Sequence, residues 1–207
     1  MQEGTDMADL VVVAQELQAH LTEKVGVAFL PKETSKEMQL IATGMDLGGL
    51  FIDGIPAGKV FMEDFATTLA KNVYIPKSIR NNPLALIEVS THEAEHGYQW
   101  DDTHVEFAWF YLTDPVACAQ FETDAYASGI ATRCWLTGQA PKESIPWVLD
   151  NLVKSYRLKP ESRPYAETAL KSHFASVSSG VYMTRSGRLA TEFLNSKYPW
   201  LKGAIHG

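Results

Sequence analysis

The sequence predicts an α+β chain that is predominantly helical, with a small N-terminal sheet or extended region packed on a helical core. Three observations lead there. From residue 82 onward, apolar residues recur at helical spacing between Pro and Gly stops. Before that point, short apolar runs alternate with Gly and Pro. Apolar residues make up 45% of the 207 residues and charged residues 21%, enough to fill one core without disulfides. No stretch reads as a linker, so residues 1–207 are expected to form a single domain. Its parts are an N-terminal helix and short strands (1–81), central helices (82–138) and C-terminal helices (139–207).

Taken in order, Leu10, Val13, Ala14, Leu17 and Leu21 place a helix over about Met7 to Lys24. Val25–Leu30, Met38–Ala42 and Leu50–Asp53 read as strands or extended pieces. Gly44–Gly58 holds five glycines and a proline and reads as turn-rich. Val60–Asn72 looks helical, and Val73-Tyr74-Ile75 is a β-type run stopped by Pro76. Asn82 then caps a helix opened by Pro83 and running to about Trp100. An aromatic run, Val105–Leu112, follows. Asp114-Pro115 opens the next helix and Gly138 ends it. Further helices are expected over Glu143–Arg157, Pro164–Val177 and Gly187–Lys197.

The formal net charge of -7 argues against a nucleic-acid partner, which calls for a basic face to displace counterions. The local cluster Lys154, Arg157, Lys159 and Arg163 reads as a solvated helix end. Cys118 and Cys134 fall on one helix, roughly 24 Å apart at 1.5 Å per residue, too far for a disulfide. They read as buried thiols of a reducing compartment. Met1–Asp6 lacks the basic start and apolar run of a secretion signal, and no run is long enough to span a membrane. The expected location is the cytoplasm, or a particle assembled there.

His92-Glu93-Ala94-Glu95-His96 carries the chemistry. Residues four apart share a helix face, so both imidazoles can reach one tetrahedral zinc ion. Glu93, next to them, can take a proton from water on that ion. Ala85, Val89, His92, His96 and Trp100 form one stripe whose other members are apolar, so the histidines continue a buried face. Buried imidazoles need partners, and a shared cation satisfies both. A third ligand is expected from Glu122. It shares a helix face with Cys118, Ala125 and Gly129, and such small residues let two helices approach closely. Resemblance to the metzincin pattern, whose motif continues to a third ligand at the spacing of Asp102, and to aspartate-ligated zincins, which would use Asp124, implies these two as the rival third ligands. Gln99, three residues after His96, is placed to hydrogen-bond near the metal.

His92-Glu93-x-x-His96, followed after 25 residues by Glu122-Thr123-Asp124-Ala125, resembles the gluzincin group of zincin metallopeptidases over Pro83–Gly138. That resemblance implies a zincin-like fold and a zinc-dependent hydrolase of peptide bonds. Zn2+ would sit on His92, His96 and Glu122, and Glu93 would activate the metal-bound water. It also implies a transition-state stabiliser, for which His173 and Tyr126 are the leading candidates and Tyr156, Tyr165 and Tyr182 the others. Tyr126 stands where the family often has an aspartate that orients a histidine. Asn72–Pro76 is the candidate for the edge strand that pairs with substrate; a further alternative is a latent peptidase whose N-terminal segment covers the site, with Gly44–Gly58 as the lid. The partner is then a peptide or protein. Small H-E-x-x-H proteins resembling this one also occur in tailed bacteriophages, which implies the alternative of a structural or assembly protein, with a protein assembly partner and a structural metal.

Overall fold

A computed structural model describes residues 7–49, 57–140, 144–154, 156, 158–181 and 184–205. The chain is predominantly helical, with one three-stranded sheet in its N-terminal third. Helix α1 (Met7–Val25) leads to strand β1 (Ala28–Pro31), then helices α2 (Lys36–Gly49) and α3 (Gly58–Asp64). Strands β2 (Thr67–Leu69) and β3 (Asn72–Ile75) form a hairpin, followed by the single turn α4 (Lys77–Arg80). The remaining elements are helical: α5 (Pro83–Thr103), α6 (Val105–Thr113), α7 (Pro115–Thr137), α8 (Ser144–Lys154), α9 (Arg163–Ser178) and α10 (Arg185–Lys197).

Strand order is β1-β3-β2, with β1 parallel and β2 antiparallel to β3. Strand β3 is central and Val73, Tyr74 and Ile75 are buried. It is therefore the core of the sheet and not its edge, contrary to the expected substrate-pairing strand. Strand β2 holds an edge position beside α5, where the Thr68 hydroxyl meets Glu93.

Helix α5 is the hub. Leu10, Val13, Leu17 and Leu21 of α1 pack with Ile87 and Ala94 of α5, Trp135 and Leu136 of α7, and Leu194 of α10 in the main core. A second cluster joins α7, α8 and α9 through Ala119, Leu149, Leu152 and Leu170. Both central helices begin as their capping residues dictate. The Asn82 side chain accepts from Ala85 N at 3.1 Å, and Asp114 accepts from Val116 N and Ala117 N. Gly138, at φ 73°, ends α7 in the left-handed conformation that glycine takes without strain. Helices α5 and α7 approach closely at Gly129, where a Cβ would stand 2.9 Å from the Glu88 carbonyl oxygen. Cys118 and Cys134 lie on this one helix, both as free thiols.

Two N-terminal segments differ from expectation. Met38–Ala42 lies within α2, where Met38 and Ala42 face inward one turn apart while Leu40 is 75% exposed. The exposed apolar residues make a helical stripe resemble a strand. Gly44–Gly49 belongs to the same helix. Val60–Asn72 is helical only to Asp64 and then turns into β2. Ala70, at φ 54°, makes the hairpin turn, and Lys71 ties that turn to Val25 O, Gly97 O and Asp101. The aromatic run after α5 is itself helical, as α6. Leu50–Asp53 lies outside the described residues.

Candidate metal centre

His92 and His96 lie one turn apart on α5, and Glu122 faces them from α7. His96 Nε2 is 3.3 Å from Glu122 Oε1, and His92 Nε2 is 3.6 Å from Oε2. One donor atom from each residue lies within 4.8 Å of the other two. A tetrahedral ion with bonds near 2.1 Å separates its donors by about 3.4 Å. The three side chains are thus spaced to hold a metal ion.

Electrostatics make the same demand. The Glu122 side chain is fully buried, and its Oε2 is the only buried side-chain nitrogen or oxygen without a hydrogen-bond partner among the described residues. A buried carboxylate oxygen without a donor is costly unless a cation meets it. Burial alone would depress His96, but the Glu122 charge and hydrogen bond outweigh it and push the imidazole up to about 9. Burial would raise Glu122, and His96 holds it down instead. Burial dominates at His92, which is lowered. Without a metal, a proton on His96 supplies the positive charge that Glu122 needs.

The surroundings orient each donor. His96 Nδ1 lies 2.7 Å from Gln99 Oε1, while Gln99 Nε2 donates to Phe121 O at 3.0 Å. The amide is therefore turned so that Nδ1 donates to it, leaving Nε2 toward Glu122. Tyr111 of α6 donates to Glu122 Oε1 at 2.5 Å and leaves Oε2 for a cation. Tyr126 packs edge-on against His92, ring centroids 4.7 Å apart, and with Asn151 and Tyr156 lines the cleft.

Glu93 is not among the clustered donors. Its Oε2 accepts from the Thr68 hydroxyl at 2.6 Å, so the edge strand holds the carboxylate in place. Behind that strand sits Lys32, fully buried, donating to Phe61 O, Phe65 O and Thr67 Oγ1. Burial pulls this ammonium down to about 8, partly offset by Glu93. A cleft of about 450 Å³ opens beside the cluster, lined by Ala85, Val89, His92 and Glu93 of α5, with Tyr126, Ile130, Trp147 and Phe65. The first part of the stripe expected to be buried, Ala85, Val89 and His92, is therefore the wall of a cleft and only half-buried, while His96 one turn on is buried as expected.

The structure brings together His92, Glu93, His96, Gln99, Glu122, Tyr126 and Tyr156. It does not bring His173. That imidazole pairs with Asp124 at 2.9 Å, and Asp124, two residues after Glu122, points from the opposite side of α7. Asp124 is thereby also removed as a metal ligand. Asp102 is taken by Arg185 in a two-pronged ion pair. Tyr165 is half-exposed and accepts from Gln120. Tyr182 lies outside the described residues, as do residues 50–56 of the expected lid. Thr68 and Tyr111 were not legible as site residues: one sits in a segment with a helical pattern, the other in an aromatic run outside the motif. The chain matches no family model, no curated protein and no solved structure.

Proposed function

We propose that the protein is a zinc-dependent peptidase of the zincin kind. The observation that carries this reading is the unpartnered Glu122 Oε2, buried opposite two imidazoles at the end of a cleft. His92, His96 and Glu122 would hold the ion, and the imidazole and carboxylate donors suit zinc. When bound, zinc supplies Lewis acidity, which acidifies a water and polarises a carbonyl.

The chain's own residues supply the rest. Glu93, buried on the wall of the cleft, is the proton acceptor and later returns the proton to the leaving amine. Thr68 keeps Glu93 aimed by its 2.6 Å bond. Tyr126, with a hydroxyl that burial keeps protonated, is the available donor to a developing oxyanion beside His92. Glu93→Gln should retain one zinc per chain and lose at least about a hundredfold in kcat against peptide substrates. Equal turnover in that variant contradicts the proposed role of Glu93.

One observation favours an assembly role as a second reading. Helix α6 and the start of α7 expose Val105, Trp109, Phe110, Leu112 and Val116, an apolar surface of the kind that binds proteins. Zinc-loaded protein without hydrolytic activity, recovered as a defined oligomer in sedimentation, would favour that reading. No helix among the described residues is long and apolar enough to cross a membrane.

A further inference from the structure

The cleft beside His92 has apolar walls and a lopsided set of charges. Phe65, Val89, Ile130, Trp147 and Val148 supply the walls. Asp64, Glu88 and Glu93 supply three carboxylates, and Arg133 is the one Lys or Arg on the lining among the described residues. Arg133 does not neutralise its neighbour well: its Nη1 is 3.7 Å from Glu88 Oε2, beyond hydrogen-bond reach. Both side chains remain part-exposed, Arg133 at 38% and Glu88 at 28%, so a ligand can reach them. Gly129 makes room for Glu88, whose Cγ would lie 3.1 Å from a Cβ there. Burial raises the Glu88 carboxyl to about 7 against the pull of Arg133, and a second cation seated beside it favours the ionised form.

Distance adds a size constraint. Glu88 precedes His92 by four residues, about 6 Å along α5. A side chain anchored beside His92 needs a long apolar stem to lie on these walls and a charged tip to meet Glu88. An acidic tip would meet Arg133 only within a field of three carboxylates.

We propose that this cleft is a binding subsite for a long basic side chain, arginine or lysine, with Glu88 as its anionic partner. The inference rests on the peptidase reading for its biological use, since it makes the substrate a peptide with a basic residue next to the cleaved bond. Binding at the subsite can be measured without turnover.

The test titrates N-acetyl-argininamide, N-acetyl-leucinamide and N-acetyl-glutamic acid amide into the native protein, followed by NMR shifts, and in parallel profiles cleavage of a mixed peptide library. The arginine probe should bind at least about tenfold tighter than the leucine probe, the value of one charge-assisted hydrogen bond. Glu88→Gln should reduce that ratio to near one with zinc content unchanged, and Arg133→Ala should raise it by removing the competing cation. Equal binding of the arginine and leucine probes overturns the proposal, as does tighter binding of the glutamate probe or a ratio unmoved by Glu88→Gln. Cleavage without a basic preference also overturns it while leaving the peptidase reading intact. Selective arginine binding with no peptide cleaved supports the subsite and counts against the peptidase.

Discussion

Two buried carboxylates flank the packing of α5, Glu95 on α5 itself and Glu122 on α7, and they differ in one respect. On the side toward α10, Glu95 Oε2 accepts from Ser186 N at 2.8 Å, Ser186 Oγ at 2.6 Å and Ser128 Oγ at 3.3 Å. The acid serves as a cap for the first turn of α10, donated by another helix. On the cleft side, Glu122 has its Oε1 satisfied by Tyr111 and its Oε2 left without a donor. Two acids in the same helix packing thus have opposite hydrogen-bond accounts. The first holds helices together with protein donors alone. The second is complete only with a cation.

Substituting either carboxylate separates the two roles. Glu95→Ala should be the costliest change, because it strands the Ser186 amide and two hydroxyls in the core. We expect a loss of about 3 kcal/mol in urea unfolding, with zinc still bound by the molecules that remain folded. Zinc at about one hundred times its Kd should add about 2.7 kcal/mol to unfolding stability. That increment should vanish in Glu122→Ala and persist in Glu95→Ala. An increment retained by Glu122→Ala would place the metal elsewhere. Gln99→Ala frees the His96 ring from its tie to Phe121 O and should weaken zinc binding roughly tenfold to a hundredfold, read by calorimetric titration.

A pH-dependent effect concerns Glu88, where burial raises the carboxyl from 4.5 to about 7. A raised carboxyl means that the folded state holds the proton more tightly than the unfolded chain. Its contribution is therefore fully present below 4.5 and is lost as pH rises toward 7. Glu88→Gln should flatten that part of the stability–pH curve and match or exceed the parent at pH above 7. A steeper curve in the variant would reverse the assignment.

The central helices were legible in the sequence because their signals are local. Asn82-Pro83, Asp114-Pro115 and Gly138 each act through the next few backbone groups, and each marks a helix end in the structure. The histidine pair fixes its own geometry by helical spacing, and Gly129 announces the close approach that brings Glu122 across. The N-terminal third was not legible to the same degree. The fate of Thr67–Leu69 depends on Lys32 and Lys71, whose ammonium groups bind carbonyls from other elements of the fold. No local pattern reports such contacts. For the same reason the partner of Glu93 was hidden, since Thr68 reaches it only after the hairpin forms. His173 was a candidate by type alone, and its pairing with Asp124 is decided by how α9 docks on α7.

X-ray absorption at the zinc edge on the zinc-loaded protein tests the claim about Glu122 most directly. The account predicts two imidazole nitrogens and at least one carboxylate oxygen at about 2.0–2.2 Å, with the carboxylate contribution altered in Glu122→Gln. A spectrum without imidazole scattering, or one unchanged by Glu122→Gln, would contradict it.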